Sequence, residues 1–84
     1  MNMTKMFALW KNERDVAIKS QDVEKFKAFY QRWKAKGFYT EKLPSDIVLE
    51  VSLRKMLYNL NNSTPEEKET AKKWLEERGC TTEM

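Results

Sequence analysis

Only two glycines and two prolines interrupt the 84 residues, and each falls at the edge of a segment with helical apolar spacing. Gly and Pro are the strongest local breakers of regular structure. A chain so rarely broken reads as a few continuous helices with short joints, and 84 residues amount to one domain. The apolar positions predict helices over 4–19, 22–36, 45–60 and 65–78, with 80–84 as a frayed tail. The expected fold class is all-α: a small bundle of four short helices, the third helix central.

The stops and starts carry most of this reading. In the second segment Val23, Phe26, Phe29, Tyr30 and Trp33 share one face behind an Asp22 cap. Gly37 then stands where a left-handed C′ residue belongs. Phe38 and Trp33 become the apolar pair of a Schellman stop. Pro44 disfavours helical geometry at Leu43, so a new helix opens near Ser45. In Thr64-Pro65-Glu66-Glu67 a cap, a proline at the first helical position and a capping-box glutamate coincide. Gly79 closes the fourth helix, which is expected to dock mainly through Trp74. The first segment places Met6, Leu9, Trp10, Val16 and Ala17 at helical spacing behind Thr4. The expected core is Leu9, Trp10, Phe26, Phe29, Tyr30, Trp33, Leu49, Leu53, Met56, Leu57, Trp74 and Leu75.

The third segment is apolar on two sides. At about 100° per residue, Leu49, Leu53, Met56, Leu57 and Leu60 form one stripe. Ile47, Val51 and Tyr58 form a second, nearly opposite. Such a helix either lies at the centre of its domain or offers its spare stripe to another chain. Ile47, Val51 and Tyr58 are therefore the candidate protein interface, for a partner protein or a homodimer.

Composition excludes most chemistry. There is no His, the commonest general base and neutral metal ligand, and one Cys, Cys80, which allows no internal disulfide. No Gly-rich phosphate loop is present. Asp46 and Glu50 share a helix face, and Glu66, Glu67 and Glu69 crowd a helix start, but acidic residues there already answer the helix dipole. No nucleophile–base pair can be assembled. The expectation is a non-enzyme with no catalytic residue, metal, cofactor or small-molecule ligand. Met6-Phe7-Ala8-Leu9-Trp10 is too short for a signal-peptide core or a membrane span, so the expectation is a cytoplasmic protein without a membrane partner.

Charge is uneven. Residues 1–60 carry twelve Lys/Arg against seven Asp/Glu, and residues 61–84 four against six. Cations interleave with aromatics over 25–42, as they do in proteins that bind nucleic acid. Lys25, Arg32 and Lys36 lie along one flank of the aromatic stripe, and Lys27 and Lys34 along the other. Long cations that border a buried stripe also snorkel outward with no ligand at all. The candidate contacts for phosphate or an acidic partner are Lys25, Arg32, Lys36 and Lys42, with Tyr39 expected to be the exposed aromatic. A helix-turn-helix is disfavoured, because the 38–44 loop is too long and the third segment too apolar for a groove.

Three stretches, Glu24-Lys25-Phe26-Lys27-Ala28-Phe29-Tyr30-Gln31-Arg32-Trp33, Gly37-Phe38-Tyr39 with Leu43-Pro44-Ser45-Asp46, and Ser52-Leu53-Arg54-Lys55-Met56, carry a resemblance. Together they resemble small accessory proteins of Gram-positive phages and conjugative elements, over about residues 10–79. The resemblance implies a short non-enzymatic protein that regulates expression or blocks a host function. Inhibitors that imitate nucleic acid have acidic surfaces, whereas this chain is net +3. The expected function is a helical protein-binding module. The alternative is a nucleic-acid accessory factor that uses the basic 25–42 segment.

Overall fold

The computed structural model describes residues 3–84. It contains four helices: α1 (Met3–Lys19), α2 (Val23–Ala35), α3 (Asp46–Asn59) and α4 (Pro65–Glu77). The described residues form no strand. None of the helices is long and apolar enough to cross a membrane. α3 packs against each of the other three, as its two apolar sides require.

Local chemistry sets the helix ends. The Asp22 carboxylate accepts from the Glu24 N–H at 2.9 Å. At the end of α2 the Gly37 N–H donates to the Lys34 carbonyl (3.0 Å) and the Phe38 N–H to the Trp33 carbonyl (3.0 Å). This is the Schellman pattern, with Gly37 at φ 90. The Phe38 ring meets Trp33 edge-on, with centroids 4.7 Å apart. α4 stops the same way: Gly79 N–H reaches the Glu76 carbonyl and Cys80 N–H the Leu75 carbonyl. α1 ends without a glycine. Gln21 takes the left-handed conformation (φ 56), and the Ser20 hydroxyl donates to the Ala17 carbonyl.

Leu49, Leu53 and Leu57 of α3 form the centre of the core, with Phe26, Phe29 and Trp33 of α2, Ala17 and Ile18 of α1, and Ala71 and Leu75 of α4. Several expectations need correction. Leu9 and Val16 are 41% and 67% exposed, because α1 turns Trp10, Ala17 and Ile18 inward instead. Trp74 is only half-buried. α4 docks through the fully buried Ala71 and Leu75, while Arg54 and Arg78 guanidinium groups lie 5.3 and 3.9 Å from the Trp74 ring. Tyr30, Met56 and Trp10 pack on the core from its edge. Residues 80–84 are not helical. They fold back along α3, where the Thr82 carbonyl accepts from Asn59 Nδ2 at 2.9 Å. Ser63 is buried in the α3–α4 turn, and its hydroxyl donates to the Leu57 carbonyl at 2.6 Å.

The start of α4 is a complete capping box. The Glu67 N–H donates to Thr64 Oγ1 (3.1 Å), and the Thr64 N–H donates to Glu67 Oε1 (2.8 Å). That backbone donation holds the Glu67 carboxyl below its ordinary value of 4.5. Desolvation opposes it, and Lys19 Nζ at 3.3 Å assists. A carboxyl depressed by folding stabilises the fold above its unfolded pKa and loses that contribution as pH falls through its folded one. Urea midpoints should therefore drop below pH 4.5 partly through Glu67. Glu67→Gln should cost about 1 kcal/mol or less at neutral pH and flatten this part of the profile. An unchanged profile would show that the box does not titrate with folding.

Candidate protein-binding surface

α1 and α2 form a helical hairpin whose inward side supplies the core. Its outward side is a groove of about 380 Å³, lined from α1 by Asn12, Glu13, Val16, Ala17 and Ser20 and from α2 by Lys25, Ala28, Phe29 and Arg32. Helical periodicity produces this division. Positions 9, 12, 13 and 16 follow one α1 face, and positions 25, 28 and 32 one α2 face. Val16 stands exposed on the α1 wall, and Leu9 lies two turns back on the same face. Small side chains at Ala17 and Ala28 keep the groove open, while the buried Phe29 closes its floor.

The rim is cationic. Glu13 Oε1 pairs with Arg32 Nη2 and also accepts from Trp33 Nε1 at 3.4 Å. This carboxylate is thus occupied from α2 and holds the two helices together. Lys25 is exposed and has no ion-pair partner among the described residues. Lys36 places its ammonium 5.5 Å from the Trp33 ring centroid.

The structure divides the sequence candidates. Lys25 and Arg32 line one groove, and Lys36, the C-cap residue of α2, stands one turn further on. Lys42 is exposed in the 36–45 connection and belongs to no helix. Tyr39 is not an exposed stacking platform, which corrects the expectation. Its hydroxyl accepts from Trp10 Nε1 at 3.1 Å and its ring stacks on Tyr30 at 4.2 Å. The connection turns inward because α1 has an open apolar end there, which Phe38 fills against Phe7 and Trp10. Burial, then Glu41 and Tyr39, push the Tyr30 phenol above its ordinary value. Lys27, on the opposite flank, donates to Asp46 at 3.1 Å. That bond, with the attraction of Asp46, raises the Lys27 pKa.

The Ile47, Val51 and Tyr58 stripe is not one free surface. Ile47 is 57% exposed, Val51 is half-buried, and Tyr58 packs at the core edge with Lys68 Nζ 5.9 Å from its ring. The stripe is most exposed at its amino-terminal end, at Ile47 beside Val48. Sequence reasoning missed the groove because it places Leu9 in the core and sets Val16 at helical spacing with Trp10 and Ala17. Their i, i+7 spacing with Asn12 and Glu13 between them was the available signal.

Among the described residues no group of three or more His, Cys, Asp or Glu is placed to hold a metal ion. Comparison with protein-family models, with curated proteins and with solved structures found no match.

Proposed function

We propose that this chain is a non-enzymatic protein-binding module whose docking surface is the outer face of the α1–α2 hairpin. The observation that carries this reading is Val16. A β-branched apolar side chain stands 67% exposed at the wall of an apolar-floored groove, with Leu9 on the same face. A groove with apolar side chains on its floor and wall can seat the apolar face of an amphipathic helix. A regulator or inhibitor from a mobile element, the class the sequence resembles, would act through such a surface. The nucleic-acid reading has less support, because Tyr39 is engaged within the fold and Glu13 already pairs with Arg32.

Photocrosslinking tests the proposal. A benzophenone amino acid at position 16 should give a discrete adduct in the producing cells, and the same group at the exposed Lys73 of α4 should not. Adding Ala28→Arg, which fills the groove without touching the core, should abolish the adduct. No adduct at 16, or equal labelling at both positions, would remove the proposal.

A further inference from the structure

We infer that the occupant of the α1–α2 groove is an amphipathic helix of a partner protein that carries carboxylates along the flank facing α2. This rests on the docking reading above and adds the chemistry of the partner. Two antiparallel helices with small residues between them form a channel that fits a third helix, whose apolar stripe would cover Val16 and Ala28. Along the α2 rim the exposed Lys25 and Lys36 bracket Arg32, whose charge Glu13 answers, over about 16 Å, or three turns. The acid on the opposing wall, Glu13, is spent on Arg32 and Trp33. Lys25 therefore meets an incoming helix as an uncompensated cation. Charge on the rim sets which partner is accepted and how fast it arrives, while the apolar floor supplies the contact.

Other occupants match less of this surface. A nucleic-acid backbone answers the cations and leaves Val16 uncovered. Two copies joined through the same face would offer Lys25 no free carboxylate, because Glu13 of each is engaged by its own Arg32 and Trp33. The acidic outer face of α4, with exposed Glu66, Glu69, Glu76 and Glu77, has no large apolar side chain to enter a groove.

The test uses the full chain and a displayed library of helical peptides of about five turns. One Leu stripe is fixed and both flanking rows are randomised among Glu, Gln and Lys. Selection should enrich Glu on one flank only. Selected peptides should lose at least about tenfold in affinity against Val16→Asp, and Lys25→Glu combined with Lys36→Glu should reverse the preference toward Lys. Both variants change exposed side chains, and circular dichroism should show parental helicity. Peptides that need Val16 but show no Glu preference overturn this inference and leave the docking reading intact. Absence of any Val16-dependent peptide overturns both. Concentration-dependent dimerisation abolished by Val16→Asp would instead assign the groove to a second copy. Displacement of a selected peptide by a single-stranded oligonucleotide would assign it to nucleic acid.

Discussion

Trp33→Ala should leave the chain without a cooperative thermal transition. The indole is 1% exposed and meets Phe38 edge-on, while its Nε1–H points to Glu13, the carboxylate that also holds Arg32. Truncation removes three supports together. The core loses its largest buried side chain, the Schellman stop loses its apolar pair, and the α1–α2 bridge loses a donor. A buried Trp→Ala change costs about 3–5 kcal/mol. A single core in a chain this short seldom supplies more than about that amount. A circular-dichroism melt should show reduced helicity at 25 °C and a broad, shallow decline. Trp33→Phe keeps most of the apolar contact and should retain a transition at lower temperature. A Trp33→Ala melt that superimposes on the parent would refute the packing described above.

Helix ends were legible because short-range chemistry determines them. Gly37, Gly79, Asp22 and the Thr64–Glu67 box each act within a few residues, and each performs in the structure the role its spacing implies. The central place of α3 was legible for a related reason: a helix apolar on two sides has to be covered on two sides. The Trp33–Phe38 contact followed from the stop itself.

What could not be read depended on tertiary neighbours. α1 carries apolar residues around much of its circumference, and only the position of α2 decides that Ala17 and Ile18 turn inward while Leu9 and Val16 remain outside. Tyr39 lies two residues past Gly37 and leads into the polar run Thr40-Glu41-Lys42, which is the sequence of an exposed loop. Its burial depends on Trp10, twenty-nine residues away, offering an indole N–H. Trp74 resembled a docking residue because size suggests burial, yet two guanidinium groups cover its ring and the smaller Ala71 makes the close approach to the core. In the candidate site the cation row was legible as a flank of α2. Its partial neutralisation by Glu13 was not, because that pair joins two helices.

Ile18→Ala should destabilise the fold by about 2–5 kcal/mol, whereas Val16→Ala, two residues earlier, should change it by no more than about 0.5 kcal/mol. Ile18 is fully buried where the last turns of α1 meet α3, and deletion of its outer carbons leaves a void that the surrounding leucines cannot fill without moving their helices. Val16 has little to lose: it is 67% exposed, and Ala is the better helix former. Thermal melts of the two variants check the contrast. At about 4–8 °C per kcal/mol for a domain of this size, Ile18→Ala should melt at least about 8 °C below the parent, with Val16→Ala within a few degrees of it. Equal melting temperatures would mean that α1 presents a different face to α3, and the groove would lose its α1 wall. If the contrast holds, it separates stability from recognition within one helical turn. Weak binding by Ile18→Ala would then reflect unfolding, whereas Val16→Ala should weaken partner binding in a protein whose melt matches the parent.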